Sequence, residues 1–108
     1  MNEQEFQDRA AQALQDLNRR LSAAAEQYPF EPDFNAGALS IEFEDAPARF
    51  VVSPNSPVRQ IWVSAHSKSY KLDWDATKQE FVLSATGQTL CELIGEAISK
   101  QLEEEVVL

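Results

Sequence analysis

The chain has 108 residues, of which 44% are hydrophobic and 25% charged, and its formal net charge is −9. This length fits one domain with a proper core, which we expect to span residues 1–108. The single cysteine excludes an intrachain disulfide, no apolar run is long enough to cross a membrane, and the acidic, polar first residues are unlike a secretory or transit peptide. We therefore expect a cytoplasmic protein.

The negative charge is concentrated in the first part of the chain. Residues 1–45 carry ten acidic and three basic side chains, whereas residues 46–108 carry eight and six. This distribution argues against binding of nucleic acid, because few positive charges are present to neutralise phosphates. It favours cations or a basic protein partner, although a solvated face that keeps a small protein in solution explains the composition equally well.

The first predicted element is an amphipathic helix within residues 3–27, a stretch without glycine or proline. Its apolar side chains recur at gaps of three and four residues and form one stripe. They are Phe6, Ala10, Ala13, Leu14, Leu17, Leu21 and Ala24. Tyr28 and Pro29 end the pattern, and the two prolines of the next segment, YPFEPDF, fit a loop or an edge strand.

A run of short strands follows. Alternating or apolar segments bounded by turn residues predict strands at 38–44, 48–53, 59–65, 69–74 and 80–84. Turns are predicted at 45–47, at 66–68 and at 75–79, and the two prolines in the segment from Ser53 to Pro57 predict a loop there. Close spacing of this kind is typical of an antiparallel meander of five to six strands.

One strand presents an anomaly. In the segment from Gln60 to Ala65, alternation puts Ile61, Val63 and Ala65 on one face and leaves Trp62 on the polar face. A large indole on the solvent side of a sheet needs an explanation. Trp74 differs, because it shares a face with Leu72 and is predicted to lie in the core.

The last element is a helix that begins at Thr89. The sequence Thr89-Leu90-Cys91-Glu92 has the form of a capping box, and the following apolar residues form a second buried stripe. The order helix, strands, helix predicts an α+β fold, a two-layer sandwich in which both terminal helices cover one face of an antiparallel sheet. The tail after residue 102 is expected to lie back on the domain.

The sequence offers little support for an enzyme. One histidine and one cysteine cannot form a closed zinc site, and no glycine-rich phosphate loop is present. We expect His66 to be an exposed turn residue and Cys91 a small side chain in the core or at its border. The carboxylates remain, and these hard oxygen ligands suit iron, manganese, magnesium or calcium at an exchangeable surface site.

Five blocks of the sequence resemble the frataxin family, especially its bacterial CyaY type. They are N-x-G-x-L-S-I at 35–41, F-V-V at 50–52, S-P-x-x-Q-I-W-V-S at 56–64, Y-x-x-D at 70–73 and G-x-T-L-x-E-L-I at 87–94. The order and spacing of these blocks extend the resemblance over nearly the whole chain, and the block around Trp62 is the most specific. The family fold is helix, antiparallel sheet, helix, as the periodicity also predicts.

The resemblance implies a non-catalytic protein that binds iron weakly and acts in iron–sulfur cluster assembly. It would dock on the cysteine desulfurase and the scaffold protein, as a monomer or as an iron-dependent oligomer, and would regulate cluster assembly or supply iron for it. The resemblance assigns partner binding to Asn55, Gln60, Trp62 and Lys71. It assigns iron to surface carboxylates, here Glu26, Glu31 and Asp33, which are fewer than in the acidic ridge of the family.

Two other functions compete with this interpretation. A small acidic interaction module, similar to a secretion chaperone, would need no metal and would usually dimerise. A metal-dependent enzyme such as a ferroxidase would need a converging acid–base set, which the sequence does not reveal.

Overall fold

The structure is a computed structural model that describes residues 1–44 and 46–108. Its helices are α1 (Glu3–Ala24) and α2 (Leu90–Leu102). Its strands are β1 (Phe30–Asn35), β2 (Ala38–Phe43), β3 (Arg49–Asn55), β4 (Gln60–Ala65), β5 (Lys68–Asp75), β6 (Glu80–Leu83) and β7 (Gln88–Thr89). One turn of 3-10 helix, Ser56–Val58, separates β3 from β4. No helix among the described residues is long and apolar enough to cross a bilayer.

The strands form one antiparallel sheet in chain order, from β1 at one edge to β7 at the other. The predicted α+β sandwich is confirmed, with seven strands instead of five to six. The segment after α1 is the edge strand β1, and the strand that the sequence pattern missed is β7, which has only two residues. Asp45, in the turn predicted at 45–47, lies outside the described residues.

The core lies between the sheet and the two helices. The predicted stripe of α1 is buried at Phe6, Ala10, Leu14, Leu17 and Leu21. The inward side chains of the sheet meet this stripe, and the largest fully buried ones are Leu39, Ile41, Phe50, Ile61, Leu72 and Phe81. Burial on this scale supplies most of the stabilising free energy, at roughly 25 cal/mol per Å² of apolar surface. The opposite face of the sheet carries no helix in the part of the chain that the structure describes.

The end of β3 corrects one prediction. Ser53 and Pro54 belong to the strand and not to a loop, since they pair with Trp62 and Ile61 of β4. Pairing between β2 and β3 ends at Val52. Beyond Val52, β3 pairs with β4 only. Pro54 has no N–H, but on the side of β3 that faces away from β4 no ladder hydrogen bond needs one.

The turn between β4 and β5 corrects a second prediction. His66 is half-buried, not exposed: its Nε2 lies 3.0 Å from the carbonyl oxygen of Ala97 in α2, and its ring packs edge-on against Phe50. His66 and Ser67 both have positive φ, at 52° and 61°. This geometry is that of a tight two-residue hairpin turn, which aligns β4 with β5.

Trp74 was predicted to lie in the core, but it is half-buried at the border of the core. Its ring packs against Phe81 and lies beneath the guanidinium of Arg9. Cys91 is also half-buried at the border, as expected. The tail turns back on α2, where Val106 is buried and its N–H donates to Ser99 Oγ at 2.8 Å.

Candidate functional site

The face of the sheet that carries no helix is the candidate site, and we call it the open face. Trp62 lies on it in β4 with an exposed fraction of 37%. Its register partners are Ser53 in β3 and Lys71 in β5, one on each side. Alternation along β4 places Trp62 here, because both of its neighbours, Ile61 and Val63, are buried in the core.

The indole of Trp62 is held by its surroundings. Its Nε1–H donates to Gln60 Oε1 at 2.9 Å, and Gln60 Nε2 donates to Asp73 Oδ1 at 3.0 Å. The ammonium of Lys71 lies 5.0 Å from the centroid of the indole ring, within the range of a cation–π contact. These contacts tie together side chains of β4 and β5.

The four predicted partner-binding residues occupy one region of the open face. Asn55 pairs with Gln60 across β3 and β4, and Trp62 pairs with Lys71 across β4 and β5. They therefore lie on three adjacent strands and face the same way. Whether they bind a partner stays a prediction.

The sequence pattern missed Ser53 and Asp73 in this region. Both follow from register. Ser53 pairs with Trp62 across β3 and β4. The two-residue turn at 66–67 pairs Ala65 with Lys68 and hence Gln60 with Asp73. Counting residues away from that turn along β4 and β5 would have identified Asp73 as the register partner of Gln60. Ser53 was the last residue of the predicted strand, and its place beside Trp62 was missed because the prolines suggested a loop from that residue onward.

The predicted iron ligands do not form a closed site. Glu31 and Asp33 are exposed on β1, and the register partner of Glu31 is another carboxylate, Glu42. Glu26 lies in the turn after α1, before the chain enters the sheet. Within residues 1–44 and 46–108, no three histidine, cysteine, aspartate or glutamate side chains are grouped so that they could hold a metal ion. Such carboxylates suit weak binding of a hard, largely hydrated cation, and a strong cage would need more ligands.

Basic side chains lie beside two other carboxylates of the acidic first part of the chain, Glu42 and Asp16. Arg49 Nε lies 4.0 Å from Glu42 Oε1 on the open face. On α1, the guanidinium of Arg19, helped by that of Arg20, lowers the pKa of Asp16, so this carboxylate is ionised and already paired. An approaching cation therefore competes with the protein's own arginines at both places.

A cleft of about 280 Å³ opens on the helical side of the molecule. It lies between α1, the β5–β6 hairpin and the start of α2, and Cys91 lines it with Phe81 and Leu90. Burial raises the pKa of the Cys91 thiol, which keeps it protonated and a weak nucleophile at neutral pH. Among the described residues, the other ionisable side chains that line the cleft are Arg9, Asp16 and Glu80, so the cleft offers no cysteine–histidine pair.

Comparison with known proteins agrees with the fold and with the family resemblance of the sequence. The chain is 28% identical over 95 residues to the iron-sulfur cluster assembly protein CyaY of Azotobacter vinelandii, and the matched region covers 86% of each protein. It is 30% identical over 76 residues to the protein of the same name from Tolumonas auensis, which covers 70% of each.

A solved structure of frataxin from Psychromonas ingrahamii, of the CyaY protein family, has the same fold. The TM-score is 0.84 at 22% sequence identity, and the match covers 99% of this chain and 97% of the other. The model of the frataxin-like domain matches residues 1–104. The chain therefore belongs to the frataxin family, alongside the bacterial CyaY proteins.

Proposed function

We propose that this protein acts in iron–sulfur cluster assembly, without catalysing a reaction itself, by docking on a cysteine desulfurase and its scaffold protein. Two relatives that match most of the chain are named for cluster assembly. The observation that carries the docking proposal is Trp62, an indole that the fold holds on an open sheet face. A protein tends to expose a large aromatic side chain where a partner will cover it.

The docking surface consists of Asn55, Gln60, Trp62 and Lys71, with Ser53 and Asp73 between and beside them. Tryptophan commonly dominates the binding energy of an interface, and here polar side chains surround it as a rim would. The net charge of −9 steers the protein toward a basic partner surface and accelerates encounter at low ionic strength. Such a role fits a cytoplasmic monomer.

Truncation of the indole tests this proposal. Trp62→Ala should keep the fold, because the side chain lies outside the core, and should weaken binding to a desulfurase–scaffold complex by about 2 kcal/mol or more. Calorimetry or interferometry gives the affinity, and circular dichroism verifies folding. Val107→Ala is the matched control, since Val107 is 82% exposed and lies in the C-terminal tail. Equal affinity of the wild type and Trp62→Ala would remove Trp62 from the docking surface.

We propose that iron binds weakly at the carboxylates Glu31 and Asp33 of β1, with Glu26 at the end of α1. Their exposure favours exchangeable binding of ferrous iron, with water as the remaining ligands. Paramagnetic broadening of amide signals on addition of ferrous iron should be strongest at β1 and at the turn after α1. Double substitution Glu31→Gln and Asp33→Asn should remove it there. Broadening that spares both segments would contradict the site.

The competing functions have less support. A secretion chaperone would belong to another family, and the frataxin-like model covers residues 1–104 of this chain. A ferroxidase would need a base beside a metal cage, and no three histidine, cysteine, aspartate or glutamate side chains among the described residues are grouped so that they could hold a metal ion. Oxidation of ferrous iron well above the rate in buffer would revive the enzyme hypothesis.

A further inference from the structure

A chain of two hydrogen bonds lies beside the indole of Trp62. Trp62 and Gln60 are two residues apart in β4 and so share the open face, and Gln60 is the register partner of Asp73 in β5. The indole N–H donates to Gln60 Oε1 at 2.9 Å, and Gln60 Nε2 donates to Asp73 Oδ1 at 3.0 Å. The amide of Gln60 thus connects the exposed indole to a carboxylate on the neighbouring strand.

The chemistry of the three groups allows one orientation of that amide. An indole nitrogen only donates hydrogen bonds, and an ionised carboxylate only accepts them. The Gln60 amide satisfies both neighbours when its oxygen faces Trp62 and its nitrogen faces Asp73. In the reversed orientation two donors and two acceptors would oppose each other, so Trp62 and Asp73 together fix which way Gln60 points.

We propose that Asp73 is a positioning residue of the docking surface, which acts through Gln60 to hold the indole of Trp62 in one orientation with its N–H bonded inside the protein. This inference rests on the function proposed for that surface. The ammonium of Lys71, 5.0 Å from the ring centroid, restrains the same indole from β5. A partner then meets the indole through its ring face and edge, not through its N–H.

Such restraint raises affinity without adding a contact. A free indole on a strand can adopt several rotamers, and binding would have to select one of them. Holding the ring in advance removes part of that entropic cost. Asp73 is exposed, so its substitution leaves the core unchanged and reports on the positioning alone.

The positioning is tested first in the free protein, by NMR of the two indole N–H groups. Asp73→Ala should shift the Trp62 indole resonance and accelerate its exchange with solvent. The resonance of Trp74 is the internal control, because that side chain packs on the core beneath Arg9. Asp73→Asn, which keeps an acceptor oxygen but loses the charge, should move the Trp62 signal less. An unchanged Trp62 signal in Asp73→Ala would overturn the proposal.

Binding to the desulfurase–scaffold complex tests whether Asp73 acts through the indole. Asp73→Ala should lower the affinity about fivefold in the wild type, the scale of one hydrogen bond. In a Trp62→Phe background, which keeps a ring but has no N–H, the same change should have no further effect. An equal loss in both backgrounds would mean that Asp73 contacts the partner directly, and the proposal would be wrong.

A control variant separates this proposal from a general effect of net charge. Glu104→Gln removes one negative charge from the exposed tail, and its side chain forms none of the hydrogen bonds or ion pairs found among the described residues. It measures the general effect of net charge on binding. If the wild type itself does not bind the complex, the proposed function fails, and the NMR of the free protein still decides whether Asp73 positions the indole.

Discussion

The first turn of α2 shows how a pair of side chains can fix a helix end. Thr89 Oγ1 accepts from the N–H of Glu92 at 3.3 Å, and Glu92 Oε1 accepts from the N–H of Thr89 at 2.9 Å. This is the capping box expected from the sequence. The hydrogen bond from the Thr89 backbone is the main cause that lowers the pKa of the Glu92 carboxyl.

That lowered pKa makes part of the folding stability dependent on pH. Glu92 ionises more readily in the folded than in the unfolded chain, so the unfolded state binds more protons as the pH falls. The contribution is present above the ordinary glutamate pKa, about 4.3, and is lost as the pH falls through the lower value of the folded state. Glu92→Gln keeps both capping bonds but does not titrate.

The free energies of unfolding of the wild type and Glu92→Gln should therefore converge as the pH is lowered below about 4.3. Urea denaturation at dilute protein concentration, from pH 7 downward, measures both. A difference that stays constant over this range would show that the Glu92 carboxylate does not contribute through its ionisation.

Single residues differ in how much the sequence reveals about them. Trp62 on the open face follows from alternation alone, since its two neighbours are plainly core residues. Asp73 was missed because its role depends on its register with Gln60. The exposure predicted for His66 is wrong, because the turn signal does not indicate that α2 passes over the turn.

Among the elements, α2 and the tail form one packed unit. The tail returns along the helix, where Ser99 Oγ donates to the carbonyl oxygen of Gly95 at 2.8 Å and accepts from the N–H of Val106 at 2.8 Å. Gly95 is buried at this contact. A Cβ there would lie 3.5 Å from the carbonyl oxygen of Val106 and 3.8 Å from Cγ of Leu108, which is ordinary van der Waals contact.

Gly95→Ala should therefore stabilise the protein. Alanine fits the available space and favours the helix over glycine by about 0.5–1 kcal/mol. Gly37→Ala is the matched control and should destabilise the protein. A Cβ at this position would have no atom within 4 Å, but the φ of +82° should cost alanine about 1 kcal/mol. Chemical denaturation of both variants decides the question. Destabilisation by Gly95→Ala would show that the tail packs more tightly than this geometry indicates.

The helices could be predicted almost completely, whereas the strands could be predicted only in part. A stripe of apolar residues over several turns, or a capping box, is a local signal that needs no knowledge of neighbours. Pro54 within β3 depends on where β2 stops pairing, and the two-residue strand β7 depends on its pairing with β6. Such features are set by the partner strand and have no periodicity of their own.

At the scale of the whole molecule, the two layers divide structure from candidate function. The helices cover one face of the sheet and complete the core, and the open face keeps Trp62 and its polar neighbours accessible. The order of elements was enough to predict this division. The iron site could not be derived in the same way, because exposed carboxylates have no spacing that specifies a weak, hydrated ion.

The central claim is that the open face, and not the helical layer, meets the assembly machinery. It is tested most directly by NMR of isotope-labelled protein titrated with the desulfurase–scaffold complex. We expect amide signals to lose intensity first around Ser53, Trp62 and Lys71, while signals on the exposed side of α1 persist. Loss of intensity confined to α1 and α2, with Trp62 unaffected, would contradict the account.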